Sequence, residues 1–509
     1  MSITSEFNPE VNGWYFENWG EASEFSWDLF RRTYLAINPT HDCVEAPLDC
    51  AFYEIFKSCA ANGNCGGMSM LVLALYKYGG YMGFCSPASF YTGDIIGTPS
   101  GYLGPDRADL HAAINIMQAR QFSAPGIQNF LDVVKAGELN DGEAAFDKIK
   151  SGLASGDYAM LSISNGLFGD AAHTVIPYAV DEHPAGFPAG TKLLHIWDSD
   201  RPFNAFRAYY IDGHNIMIIR GATDWTYDQN AGTLYSDGRV YDGSNNGWCF
   251  AIPFSLELHK ARQPISVGFV LTGLTTLFVS GVGAAVTQIE DDAGRRFYTS
   301  DSLHLLRNEI ETGSARRLEG VARWPWYAAS KNGELPGELF FFQRPSGSPP
   351  LTVTVSGTQY RLQQAQSGHL IEIQAQSKAV ARDKIHVEDF TGDSQAVELH
   401  TDGEKRHFHI HQLRADNIDG DWRSIHVRDA LVSKADLRVQ TLGGLDAVEV
   451  SSLQEKKEFS LEFRRYYSNT LSQHSAGPHK VAAGKAVHLT PGDWNTLEHT
   501  VVKSRTRKR

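Results

Sequence analysis

The pattern of apolar and polar positions changes character near residue 258. Before it, helical spacing alternates with short apolar runs. MSMLVLALYKYGG (Met68 to Gly80) is apolar almost all the way round, the pattern of a buried central helix closed by glycine. DLHAAINIMQARQF (Asp109 to Phe122) and DGEAAFDKIKSGLASG (Asp141 to Gly156) have helical periodicity. YAMLSIS, HTVIPYAV and KLLHIWDS read as strands, the last two separated by the turn-rich HPAGFPAGT. After residue 258 the pattern mostly alternates. LTVTVSGTQYRL, HLIEIQA, KIHVEDF, AVELH, RHFHIHQL and LRVQTL are short strands between turns, and SLHLLRNEIETG is the helical exception. The pattern predicts an α+β domain over 1–258 and a β-rich, sandwich-like region over 259–509. PSGSPP (Pro345 to Pro350) is a candidate further boundary.

One uncharged stretch, Val267 to Ile289, reaches membrane length, but its threonines and glycines argue against a membrane helix. With the residues after it, TLFVSGVGAAVTQIEDDAGRRFYT reads as strand, turn, strand, strand. The N-terminus lacks the basic start and apolar run of a secretory signal, so a cytoplasmic location is expected, with export by a signal-free route the alternative. The basic ending KSRTRKR reads as a solvated, frayed terminus.

A net charge of -13 argues against nucleic acid as the main partner. Six cysteines in 509 residues are too few for a disulfide framework, and no CxxC pair offers a structural zinc site. A reducing compartment is the simpler expectation. The dense aromatics of NGWYFENWGEASEFSWDLF, among them Trp14, Trp19 and Trp27, read as core and lid packing.

Three segments carry candidate chemistry. In NGNCGGMSMLVLALYKYGG, Cys65 stands among glycines and asparagines immediately before the apolar helix. Glycine permits close approach of a substrate backbone, and a helix N-terminus favours thiolate. In GDAAHTVIPYAVDE, His173 opens a strand, where an imidazole can take up the thiol proton and later return it. In LLHIWDSDRPF, Asp198 ends a strand expected to pair with that of His173, where a carboxylate can orient the imidazole. Asp200 is the rival orienter, and Cys59 in FKSCAANG the rival nucleophile.

The order Cys, His, Asp, with the cysteine at a helix start and the others on strands, resembles the papain-like cysteine peptidase superfamily. The likeness is closer to its bacterial branches, which include bacteriocin-processing peptidases. Those carry a small residue and a Met- or Ser-containing helix after the cysteine, then a G-H strand, then a strand ending in D-x-N-x-P. Here the last element reads Asp198-Ser199-Asp200-Arg201-Pro202. The likeness covers roughly residues 50 to 205 and implies a papain-like fold for the first domain and Cys65, His173 and Asp198 as catalytic residues. It departs at one place: the superfamily's Gln, six residues before the nucleophile, is Cys59 here. Asn62 or Asn64 is then the candidate oxyanion donor beside the Cys65 N–H.

His407, His409 and His411 alternate along RHFHIHQL and share one face of a strand, about 6.6 Å apart at each step. They are weak metal candidates; a solvated polar face is the blander reading. The expectation is a cysteine-dependent hydrolase or acyltransferase acting on amide bonds of a peptide or protein substrate, needing no cofactor. The β-rich region would then serve to bind a partner. The alternative is a non-catalytic binding or assembly protein with a degenerate papain-like domain.

Overall fold

The computed structural model describes residues 2–20, 25–34, 40, 42–60, 63–96, 103–165, 172–203, 215–232, 234, 238–245, 247–255, 274–281, 284–294, 296–299, 321–323, 338–343 and 349–506, the last without 367, 389, 391, 403–404, 416–420, 434–435, 453, 496 and 498–500. Two compact units emerge. One comprises Met1–Pro39, Tyr53–Ile265 and Pro325–Lys331; the other comprises Thr40–Phe52, Ser266–Trp324 and Asn332–Arg509. The α-helices bounded among the described residues all precede residue 156, and strands dominate thereafter. The first unit is therefore α+β and the second β-rich.

The first unit is built on an antiparallel sheet. Its strand order is Val240–Asp242, Trp225–Asp228, Ile216–Ile219, Lys192–Trp197, His173–Asp181, Ala159–Ser164, Trp248–Pro253, with Ser2–Thr4 paired to the far half of His173–Asp181. Helix Gly142–Ser155 is capped by Asp141, which accepts from Glu143 N and Ala144 N, and ends at Gly156. Its Phe146 and Ile149 form a core with Leu161, Ile163, Val175, Leu194, Met217, Tyr227 and Tyr241 of the sheet. Helix Cys65–Tyr78 is buried without a break from Cys65 to Leu75, as its all-round apolar pattern requires, and closes at Gly79 with φ 71°. Trp14 and Trp19 lie in the core, and Trp14 Nε1 donates to Met68 O at 3.0 Å.

The glycines after Cys65 serve packing rather than substrate approach. A Cβ at Gly67 would stand 2.3 Å from Ile114 O, and one at Gly66 2.0 Å from Gln121 Nε2. Their absence lets the backbone of the Cys65 helix close on helix Ala108–Arg120.

The second unit is a branched antiparallel array. Strand His369–Glu388 unites the two segments HLIEIQA and KIHVEDF. It pairs along its length with Leu351–Gln366, then splits its other edge: residues 369–376 pair with Arg406–Ala415 and residues 383–388 with Ala396–Thr401. Strands Leu274–Ser280, Ala285–Asp291 and Arg296–Thr299 occupy the strand–turn–strand–strand region. No helix among the described residues is long and apolar enough to cross a membrane. SLHLLRNEIETG lies outside the described residues, as does most of PSGSPP. The basic ending is not a frayed tail as far as Thr506: Val501–Thr506 pairs with Lys485–Thr490, completing the ladder at that edge.

Thr40–Phe52 is inserted early in the chain but belongs to the second unit. Leu48 and Ala51 pack with Leu370, Leu413, Trp422 and Tyr466. Val44 O accepts from Trp422 Nε1 at 3.0 Å, and Glu45 Oε1 from the Tyr466 hydroxyl at 2.9 Å. A disulfide joins Cys43 to Cys50 within the segment, a staple that the small cysteine count did not suggest.

Candidate active site

Two neighbouring strands and one helix start define the site. The register Ile176↔Trp197 leaves Asp198 just beyond the pairing, beside the beginning of the His173 strand. His173 Nε2 stands 2.6 Å from Asp198 Oδ1, with both side chains buried. The Asp198 carboxylate is fully engaged: Oδ1 also accepts from Asp200 N at 2.8 Å, and Oδ2 accepts from the Tyr227 hydroxyl at 2.7 Å and Gln229 Nε2 at 2.9 Å. Tyr227 in turn stacks on Tyr241, and Tyr241 on the His173 ring at 6.2 Å between centroids. The imidazole is thus held on one nitrogen by a carboxylate and on one face by an aromatic ring.

The charges follow from this packing. Burial disfavours an imidazolium, but Asp198 and then Asp200 outweigh it and hold His173 well above the usual histidine range. Burial likewise opposes charge on Asp198, but His173 and the Tyr227 and Gln229 donors overcome it and keep the carboxyl below the usual range. The pair is therefore a buried ion pair.

His173 Nδ1 is the nitrogen left for chemistry, and Asp200 Oδ2 lies 3.8 Å from it. A hydrogen-bond path leads from Asp200 to Asn64, the residue before Cys65. Asp200 Oδ1 accepts from Asn18 Nδ2 at 3.0 Å, and Asn18 Oδ1 accepts from the backbone N–H of Asn64 at 2.7 Å. A second tie lies one turn along the helix, where Ser69 Oγ donates to Thr174 O at 3.2 Å. Ser69 follows Cys65 by four residues and so shares its face. The structure therefore brings the start of the Cys65 helix to the start of the His173 strand, with Asp198 behind the imidazole. Arg239 interacts electrostatically with Tyr241, Asp200 and Cys65 together, which places its guanidinium at the same site.

The other candidate residues fall as follows. Asn64 Nδ2 is committed to Trp19 O at 3.1 Å and Gly67 N to Gln118 Oε1 at 2.6 Å, leaving the backbone N–H groups of Cys65 and Gly66 as the candidate oxyanion donors. Asn62 lies outside the described residues. Cys59 falls at the penultimate position of helix Pro47–Ala60. Among the described residues, ligand atoms of His173, Asp198 and Asp200 are the one trio within 4.8 Å of each other. Both oxygens of Asp198 already accept two hydrogen bonds, so that trio is arranged as an oriented imidazole rather than as a cation cage. His407, His409 and His411 do share a strand face, but His411 stacks on His426 at 4.0 Å and no such trio includes any of them.

Sequence reasoning missed Asn18, Tyr227, Gln229, Tyr241 and Arg239. Glu17 and Arg201 were missed as well: Arg201 Nη1 donates to buried Glu17 Oε1 at 3.2 Å and to Asp200 O at 2.9 Å. Burial pushes the Glu17 carboxyl up to about 8 against the pull of Arg201. Compared with protein-family models, with curated proteins and with solved structures, the chain matches none.

Proposed function

We propose that the first unit is a papain-like cysteine hydrolase or acyltransferase acting on amide bonds of a peptide or protein. The observation that carries this reading is the buried His173–Asp198 pair, whose free Nδ1 side is tied through Asp200 and Asn18 to the helix start bearing Cys65. In this reading Cys65 and His173 rest as a thiolate–imidazolium pair, with the Cys65 proton already on His173 Nδ1 and Asp198 stabilising the imidazolium. The thiolate attacks the scissile carbonyl carbon, and the oxyanion is held by the Cys65 N–H at the positive end of the helix. Collapse breaks the C–N bond, His173 gives its proton to the departing amine, and an acyl-thioester remains on Cys65. Water or a second amine, deprotonated by His173, then releases the acyl group.

A second reading, a retired domain that keeps the fold but not the activity, is favoured by the exposure of Cys65, which is only 5%. Iodoacetamide labelling across pH, mapped residue by residue by mass spectrometry on wild type and His173→Ala, separates the two. Catalysis requires that Cys65 alkylate faster than the other cysteines well below pH ~8.5 and that His173→Ala abolish the advantage. If Cys65 is no faster than Cys85 or Cys249 in either protein, the retired-domain reading stands.

A further inference from the structure

The second unit carries an open concavity of mixed polar and apolar lining where its long strand changes partners. The volume is ≈ 400 Å³, within the range of small-molecule sites. Its side chains fall in two rows across adjacent strands. In one row Ser280 is paired with Arg361, Arg361 with Gln374, and Gln374 with His409. In the other Gln359 is paired with Gln376, and Gln376 with His407. The intervening residues Tyr360, Ala375 and Phe408 are buried and by alternation face the other way.

Backbone irregularities converge on the same place. The register slips between Gly357 and Gln359 and again between Phe408 and Ile410, where Arg428 and Asp429 form a bulge opposite His409. Within that bulge Asp429 adopts φ 58°, a left-handed conformation uncommon for a residue with a Cβ. Gly281 has φ 146°, and a Cβ there would stand 2.2 Å from Gln359 O. Bulges re-aim side chains at binding sites, and strain persists where the surrounding structure over-determines it.

The lining selects the ligand class. Arg361 is paired with Glu372, so this arginine is not left to hold a phosphate or sulfate. Strands His369–Glu388 and Arg406–Ala415 are hydrogen-bonded on both sides at this point, and Leu351–Gln366 lacks a second partner only over Gly357–Tyr360, so at most a four-residue edge is open to a peptide strand. Tyr360, Ala375 and Phe408 contribute the apolar part of the floor. Gln374 Nε2 likewise donates to Glu372 Oε1 at 2.7 Å. What remains are the Gln359 and Gln376 amides, two imidazoles, a serine hydroxyl and the Asp429 carboxylate, which offer donors and acceptors side by side. We infer that this concavity is a saccharide-binding site, taking a neutral sugar through its vicinal hydroxyls, with Asp429, Gln376 and His407 as contact residues.

The test uses the full chain and millimolar methyl glycosides of glucose, galactose, mannose, N-acetylglucosamine and fucose, read by saturation-transfer difference NMR. At least one glycoside should bind saturably. Asp429→Gly removes the carboxylate while relieving the left-handed strain, so it should weaken binding about tenfold or more without lowering the melting temperature. Gln376→Ala, at an exposed position, should weaken binding in the same sense. Absence of binding by every glycoside overturns the inference. So does unchanged affinity in both variants, or saturable binding of inorganic phosphate in place of the sugars.

Discussion

At the residue scale, the site depends on which group holds which proton. Asp198→Asn removes the main charge that keeps His173 protonated. Burial then prevails over the remaining pull of Asp200, and the His173 titration, followed by NMR of its ring protons, should move down from its raised position. Under the proposed chemistry the same variant should lose about 10²–10⁴ in kcat, because the imidazole loses its orienting partner. Glu17 makes a separate prediction. The folded chain retains its proton up to about 8, whereas the unfolded chain releases it near the ordinary value of 4.5. The folded state therefore binds more protons between these values, and its stability falls as pH rises through that window. Glu17→Gln cannot ionise, so its urea midpoint should stay flatter than that of wild type from pH 4.5 to about 8. A wild-type slope retained in the variant would assign the fall to another group.

Cys65, His173 and Asp198 were legible because each stands where a run of apolar residues begins or ends and a turn-forming residue adjoins it. Asn18, Gln229 and Tyr241 were not. Asn18 sits in an aromatic segment read as packing, and its role exists only because folding brings Asn64 and Asp200 to its two ends. Gln229 follows a short strand with no motif of its own, yet it supplies one of the four hydrogen bonds on Asp198.

At the scale of elements, the helices were readable where caps agree with periodicity. Asp141 and Gly156 bound Gly142–Ser155 as their residue types require. The Cys65 helix begins earlier than its apolar run, because the glycines that look like loop are helical, Gly66 packing against the Gln121 side chain and Gly67 against a neighbouring backbone. This makes Gly67 a structural position: Gly67→Ala should force the two helices apart and cost about 1–3 kcal/mol, measured by urea unfolding. Unchanged stability would mean the contact yields easily. In the second unit the alternation marked several strands, but the union of HLIEIQA and KIHVEDF could not be read. The residues between them keep the chain extended while its partner changes, and local sequence does not encode the partner.

At the scale of the whole molecule, length and composition bounded the chain as multi-domain, and the change of texture near residue 258 falls close to where the first unit's main segment, Tyr53–Ile265, ends. The assignment of Thr40–Phe52 to the second unit was invisible, since it rests on apolar contacts with residues more than three hundred positions later. The Cys43–Cys50 disulfide closes this segment locally. Cys43→Ser should lower the stability of the second unit by about 2 kcal/mol under oxidising conditions and change nothing once reductant is present. Melting curves with and without reductant test this.

The same segment has a consequence in time. Val44 and its partner Trp422 are 378 residues apart, and Glu45 and Tyr466 are 421 apart. At ribosomal speeds of about 5–20 residues per second, Thr40–Phe52 emerges roughly 20–80 s before the first of these partners is made. Leu48 and Ala51 have no native surface to cover until Leu370 and the strands after it are made, so the second unit completes itself only after more than three hundred further residues have been added to this segment.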